Sequence, residues 1–177
     1  MKKLLVIALI FLITGCTSKY RIDAAETPLA LVSSGKSFHV ILPADGHYGR
    51  IKYSQSGMML ASEVRAALSI HASKVLISAN NDDIDKALIQ ARNKNFDYVI
   101  EPMILHWEDR ATEWSGRPDR ITIRFVAFDV KTGKKIASTV RSASSKWFTF
   151  GGDHPQDLLP ELTRQFAAML FGNLTTR

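Results

Sequence analysis

The chain has 177 residues, of which 46% are hydrophobic, with 23 Lys and Arg against 17 Asp and Glu. Its single cysteine excludes a disulfide within the chain, and with it a cysteine-based structural zinc cluster. The basic excess is mild and no basic run resembles a phosphate-binding track, so we do not expect a nucleic-acid partner. A weak attraction to anionic lipid or cell-wall polymer is compatible with this charge.

The N-terminus has the pattern of an export signal. Lys2 and Lys3 precede an unbroken apolar run over 4–13, and small residues lead to Cys16. This arrangement is typical of a secretory signal. The run is shorter than the roughly 20 residues that a membrane-spanning helix needs. We therefore predict a signal peptide over 1–15.

Ile13-Thr14-Gly15-Cys16 resembles the lipobox of bacterial lipoproteins. The resemblance implies lipidation at Cys16, with palmitate-type acyl chains, after cleavage before that residue. Each buried methylene contributes roughly 0.8 kcal/mol, so more than one acyl chain gives stable anchoring. Thr17, where an Asp would favour the inner membrane, implies the outer membrane, with the domain facing the periplasm. A plain secretory signal with an incidental cysteine is the alternative.

The exported chain is predicted to be a tether followed by one domain. Residues 16–36 are polar and weakly patterned, so we interpret them as a lipidated tether that reaches at most about 70 Å when extended. Residues 37–177 form a single domain. Without Lys2 and Lys3, 21 basic and 17 acidic residues leave a charge of about +4.

Two strand–helix units are predicted to open the domain. Residues 37–43 form a strand that Pro43 ends, and helical spacing of apolar residues follows over 54–72. A short strand over 74–79 leads to a second helix, which the polar residues 80–83 begin and which ends near Lys94.

Three strands and a helix are predicted to complete the domain. Pro102 cannot donate to a strand ladder, so it indicates an edge or a bulge in its strand. Asp153 is a candidate N-cap for the last helix, with Gln156 at capping-box spacing. The predicted elements are strands over 97–107, 121–130 and 136–148, a turn over 131–134 and a helix over 153–172. The order β-α-β-α-β-β-β-α predicts an α/β fold (an α+β sandwich), with a mixed sheet covered by helices.

Two stretches, 104–116 (ILHWEDRATEWSG) and 146–159 (KWFTFGGDHPQDLL), resemble the domain of unknown function 4823 family of proteobacterial lipoproteins. The resemblance runs from the lipobox to the last helix, but the family name implies no activity. The element order is also similar to lipoprotein domains of the curli-secretion and penicillin-binding-protein-activator type, and to the N-terminal domain of the Tol-system propeller protein. These resemblances imply partner binding or assembly in the envelope, by analogy of fold.

Evidence for catalysis or metal binding is weak. The chain has no G-x-S-x-G, H-E-x-x-H or phosphate-cradling glycine motif. Glu108, Asp109 and Glu113 are hydrolase candidates, but interleaved arginines favour surface ion pairs. A metal site of His106, Asp109 and His154 is possible, yet their spacing does not require one. We therefore predict no enzyme, no cofactor and no metal.

Tryptophan is concentrated in one region, with Trp107, Trp114 and Trp147 within 41 residues. Trp107 and Trp147 are more typical of core residues, whereas Trp114 lies in a polar connector. Aromatic residues with arginines are typical of protein-binding surfaces, so we predict contact with an envelope protein. A module for a small ligand or glycan fragment is the alternative, and a hydrolase is a third. The candidate surface comprises Arg110, Glu113, Trp114, Arg117 and Trp147.

Overall fold

The computed structural model describes residues 18–26, 28, 30–109, 118–145 and 154–172. The elements, in chain order, are β1 (Lys19–Glu26), β2 (Ser37–Val40), β3 (His47–Tyr48), β4 (Ile51–Lys52), α1 (Ser56–Ser69), β5 (Lys74–Ile77), α2 (Ile84–Asn93), β6 (Tyr98–Glu108), β7 (Arg120–Asp129), β8 (Lys135–Ser144), a 3-10 helix (Pro155–Leu158) and α3 (Leu159–Phe171).

Six of the described strands form one mixed sheet in the order β1-β8-β7-β6-β2-β5. Strands β1, β8, β7 and β6 pair antiparallel. Strands β6, β2 and β5 pair in parallel, because α1 and α2 carry the chain back between them. The predicted α/β class is confirmed, and the structure adds β1 and the β3–β4 hairpin to the predicted elements.

The main core lies between one face of the sheet and helices α1 and α3. Alternate residues of β7 point into it, so Ile121, Ile123 and Phe125 are fully buried. The rings of Phe125 and Phe166 of α3 stack with centroids 4.6 Å apart. The apolar sides of α1 and α3 cover this face of the sheet.

A smaller core lies on the opposite face, where α2 packs against β6. The side chain of Asp83 accepts a hydrogen bond from the Lys86 amide at 2.8 Å, which begins α2 where the sequence predicts it. Ala87, Ala91 and Val99 are fully buried there. No described helix packs on the rest of this face, which belongs to β1, β8, β7 and the second half of β6.

Part of the predicted tether is a strand of the sheet. Lys19–Glu26 forms β1 and pairs with β8 from Lys19↔Ser144 to Glu26↔Ser138, with a bulge between Ile22 and Ala24. Val32 is buried, and its amide donates to the Leu170 carbonyl at 2.9 Å. The tether prediction is therefore wrong for these residues. Charged, exposed side chains on an edge strand give no apolar alternation, so the pattern is hidden in the sequence.

Local details follow the sequence in part. Strand β6 pairs with β2 only as far as Ile100, so Pro102 lies where that edge of β6 has no neighbouring strand. On its other side, the register of β6 with β7 shifts between Ile104 and His106, which is a bulge. Pro102 therefore predicts both features of this strand correctly. The predicted N-cap Asp153 lies outside the described residues, and the 3-10 helix has His154 as its N-cap, with the His154 amide donating to Asp157 at 2.9 Å. In the part of the chain that the structure describes, no helix has the length and apolarity to cross a bilayer.

Candidate functional site

Every residue predicted for lipidation or partner binding lies outside the described residues. Cys16 precedes Ser18, where the description begins. Arg110, Glu113, Trp114 and Arg117 belong to segment 110–117, and Trp147 belongs to segment 146–153. The described residues that flank these segments show where each one leaves the domain.

The flanks of the two segments meet at one end of the sheet. The Asp119 amide donates to the Ser145 hydroxyl at 2.9 Å, and the Ser145 amide donates to the Asp119 carbonyl at 3.0 Å. Glu108 and Arg120 form the last pair between β6 and β7. Segments 110–117 and 146–153 therefore both emerge from the end formed by Glu108, Arg120 and Ser144.

The first described residues reach the same end. Lys19 is paired with Ser144 of β8, which is in turn paired with Arg120 of β7. Strand β1 therefore begins beside the flanks of both segments. The sequence gives no signal for this neighbourhood, because it depends on pairing between strands more than 100 positions apart.

Trp107 is a core residue, with 2% of its surface exposed. A Cβ added to Gly46 would lie 2.7 Å from the Trp107 Cβ, so the loop before β3 packs directly on this side chain. The placement agrees with the core role that the sequence favours. Trp107 therefore packs the end of β6 into the core, and its side chain is not exposed for contact with a partner.

A groove of about 610 Å³ runs along the uncovered face at this end. Strands β1, β8, β7 and β6 each contribute side chains, because residues two apart on a strand share a face. Lys19 and Arg21 are paired with Ser144 and Ser142, and the Thr122 and Ser142 hydroxyls are 2.8 Å apart. The lining residues are Lys19, Arg21, His106, Arg120, Ile121, Thr122, Ser142, Ala143 and Ser144.

The charges of the groove are mainly positive. Arg21 forms an ion pair with Asp23 at 2.5 Å, and Asp23 also accepts a hydrogen bond from Ser142. His106 Nε2 lies 3.4 Å from the buried carboxylate of Glu108. For Lys19 and Arg120, no side-chain ion pair or hydrogen bond is found among the described residues. Two cations are thus left to act on a ligand.

A cluster of Asp109, Asp119 and His154 lies at the end of β6. Their ligand atoms are within 4.8 Å of one another, and His154 Nδ1 is 3.7 Å from Asp109 Oδ1. Tyr53 holds Asp109 through its hydroxyl, which contacts the Asp109 amide and carbonyl at 3.2 Å. Carboxylates and an imidazole are chemically able to hold a cation. The sequence suggests His106 as the third member with Asp109 and His154, but in the structure Asp119 lies in that place.

A second groove of about 470 Å³ lies between α1 and the 3-10 helix. Met58 and Met59 are partly exposed there, beside Pro160. None of its lining residues also lines the first groove, and no residue predicted for binding lines it among those described.

The fold is similar to several solved structures, one of which is of a lipoprotein. The PelC dodecamer from Paraburkholderia phytofirmans matches with a TM-score of 0.64 and 17% identity, over 87% of this chain and 97% of that one. Lipoprotein GNA1162 from Neisseria meningitidis matches with a TM-score of 0.54 and 14% identity, over 77% and 99%. The LpoB C-terminal domain from Salmonella enterica is a weaker match, with a TM-score of 0.46 and 16% identity, over 70% and 85%.

These likenesses agree with the similarity to lipoprotein domains that was expected at the level of fold. No curated protein matches the sequence. The model of the family named domain of unknown function (DUF4823) matches residues 31–170. The resemblance expected from the two sequence stretches is thereby confirmed, and the chain belongs to the DUF4823 family.

Proposed function

We propose that this protein is a non-catalytic lipoprotein of the bacterial envelope, held in the outer membrane by acyl chains on Cys16, with its domain facing the periplasm. Its domain binds a protein partner through Arg110, Glu113, Trp114, Arg117 and Trp147. One observation carries the proposal: β1 begins at Lys19, at the end of the sheet from which segments 110–117 and 146–153 emerge.

The start of β1 shortens the connection to the membrane. Lys19 follows Cys16 by three positions, so their Cα atoms are at most about 11 Å apart. A 20-residue tether would let the domain range over about 70 Å. The short connection keeps both segments close to the bilayer, and the partner surface is therefore expected to meet proteins at the membrane.

The structural likenesses support this proposal at the level of fold. GNA1162 is itself described as a lipoprotein, and PelC is described as a dodecamer. Both descriptions are consistent with an envelope role in which contact between proteins is the function. The partner is then either another envelope protein or further copies of this chain.

The described residues favour binding over hydrolysis. The Glu108 carboxylate is buried beside His106, and Asp109 faces His154, so each acid lies against a histidine rather than against a second acid across a cleft. A glycan module would need a pocket lined by aromatic side chains. Of the described residues lining the two grooves, only His106 is aromatic.

Photo-crosslinking in intact cells tests the partner surface. A photoreactive amino acid is introduced at Trp114 and, as a control, at Ile89. The Ile89 side chain is 58% exposed and lies on α2, outside the end of the sheet where β1 begins. We expect a discrete adduct from position 114 that position 89 does not give. An adduct of the chain's own mass would identify further copies as the partner. The absence of any adduct at 114, or identical adducts at both positions, would contradict the proposal.

A further inference from the structure

The basic groove on the uncovered sheet face has no role in the partner surface proposed above. Its cations come from two distant parts of the chain, since Lys19 and Arg21 lie on β1 and Arg120 begins β7. The sheet brings them together through the ladder β1-β8-β7. Such a grouping attracts an anionic ligand.

The cations of the groove differ in what already binds them. The ion pair between Arg21 and Asp23 offsets one positive charge. Lys19 and Arg120 have no such partner among the described residues, and Glu108 contacts His106. The groove thus presents the exposed, positively charged side chains of Lys19 and Arg120 to solvent.

Hydroxyl groups lie between these cations. Ser142 and Ser144 of β8 and Thr122 of β7 line the same groove. A phosphate diester accepts hydrogen bonds through its free oxygens, and charge-assisted bonds from Lys and Arg are the strongest of these. Cations flanking a row of hydroxyls therefore suit a phosphodiester headgroup, and the aliphatic stems of Lys and Arg tolerate the adjoining acyl region.

The position of the groove relative to the anchor selects the source of that phosphate. Lys19 is at most about 11 Å from the Cys16 Cα, which is close to the Debye length of about 8 Å at physiological ionic strength. Once Cys16 is acylated, Lys19 is held within the electrostatic reach of the bilayer surface. Lipid headgroups are then present next to the groove at high local concentration.

We propose that Lys19, Arg21 and Arg120 bind headgroups of anionic phospholipid in the membrane that holds the Cys16 anchor. The contact turns the uncovered face of the sheet toward the bilayer and fixes the orientation of the domain. This inference rests on the proposed function in one respect: the Cys16 anchor brings the domain to the membrane. The affinity of the groove for anionic lipid does not depend on the anchor and can be measured separately.

Amine footprinting tests the proposal with the acylated full-length protein. The chain is incorporated into nanodiscs of phosphatidylcholine alone or with phosphatidylglycerol, and brief acetylation at Lys19 and Lys131 is measured by mass spectrometry. Lys131 lies in the β7–β8 turn, at the other end of the sheet. Because a basic residue at an anionic surface gains about 1 kcal/mol, we expect Lys19 to react about five-fold more slowly with phosphatidylglycerol present, and Lys131 to be unaffected.

Two variants of equal charge separate the groove from net charge. Arg21→Gln/Arg120→Gln keeps Lys19 as the reporter, and we expect the lipid-dependent protection to be lost. Arg65→Gln/Lys134→Gln removes two exposed cations outside the groove and is expected to keep the protection. Circular dichroism verifies that both variants are folded.

The possible outcomes distinguish the groove from the anchor. Equal reactivity of Lys19 in both discs, or equal loss of protection in both variants, overturns the lipid proposal. Protection by inorganic phosphate in phosphatidylcholine discs overturns it as well, because free phosphate is then the ligand. If mass spectrometry shows no acyl group on Cys16, the proposed anchor is wrong. Flotation of that same unacylated protein with vesicles of phosphatidylcholine alone or with phosphatidylglycerol then tests whether the groove binds anionic lipid. We expect more protein to float with the vesicles that contain phosphatidylglycerol.

Discussion

At the residue scale, His39 shows how burial changes the meaning of a side chain. It is one of the five histidines of the chain, and the sequence places it in a strand. In the structure it is fully buried on the α2 side of β2, and neither ring nitrogen has a hydrogen-bond partner. Its ring lies 5.6 Å from that of Phe96. Burial lowers the pKa of His39 from 6.5, Lys94 lowers the pKa further, and Asp82 opposes both.

The lowered pKa of His39 predicts a loss of stability in mild acid. Below about pH 6.5 the unfolded state binds a proton that the folded state does not, so the free energy of unfolding falls as pH decreases toward the folded pKa. The stability contribution is complete above pH 6.5, and the slope is at most about 1.4 kcal/mol per pH unit. Urea denaturation from pH 7.5 to 5 should show this fall for the wild type and a smaller one for His39→Phe. Parallel curves for the two proteins would contradict the assignment.

At the element scale, α1 depends on a close approach that its sequence does not reveal. A Cβ added to Gly57 would lie 2.3 Å from the Pro43 carbonyl oxygen. Ser56 and Gly57 also contact the loop before β3, since the Gly46 amide donates to the Ser56 hydroxyl at 2.8 Å and the Gly57 amide donates to Asp45 at 3.1 Å. The helix start, the end of β2 and the loop carrying Gly46 are thus one packed unit.

Gly57→Ala should therefore destabilise the protein, although helix propensity favours alanine by about 1 kcal/mol. The backbone oxygen of Pro43 cannot move as a side chain does, and overpacking of this kind costs about 1–3 kcal/mol. Ser62→Ala, half-exposed on the same helix, is the matched control and should be nearly neutral. Thermal unfolding of both variants measures the difference. A stability gain for Gly57→Ala would show that α1 does not approach Pro43 so closely.

Strand β1 gives a second prediction at this scale. If Lys19–Glu26 were a tether, prolines there would not affect stability. Because adjacent residues of a strand alternate in their hydrogen bonding to the neighbour, Ala24→Pro/Ala25→Pro removes at least one ladder bond with β8. We expect a loss of about 1–3 kcal/mol, seen as a lower denaturation midpoint.

Ala24→Gly/Ala25→Gly is the control for this prediction, because it keeps both amides and both side chains are exposed. It should cost clearly less than the proline pair. Equal stability of the proline pair and the wild type would restore the interpretation as a tether.

At the scale of the whole molecule, the proposed anchor would be joined to the domain by a very short connection. The connection proposed between them is only the residues after Cys16 and before β1. The described flanks of the partner segments, the Asp109–Asp119–His154 cluster and the basic groove all lie at the end of the sheet where β1 begins. An acylated Cys16 would therefore orient the molecule as well as retain it.

Loss of the anchor is tested through its chemistry. We expect Cys16→Ala to abolish incorporation of labelled palmitate in growing cells, because the chain has no other thiol. Ser18→Ala, two positions away, should incorporate palmitate as the wild type does. Label retained by Cys16→Ala would refute lipidation at this residue.

The sequence by itself determined the features that depend on near neighbours along the chain. The export pattern ending at Cys16, the start of α2 at Asp83 and the α/β class follow from periodicity, capping residues and turn residues, which act over a few positions. Only the tertiary structure decided that Lys19–Glu26 is a strand, that Asp119 joins Asp109 and His154, and that Lys19 and Arg120 line one groove. The physical reason is that β1 is stabilised by backbone hydrogen bonds to β8, which are independent of side-chain identity. Contacts that only the pairing of strands creates, over 100 positions apart for β1 and β8, therefore left no pattern in the sequence to be recognised.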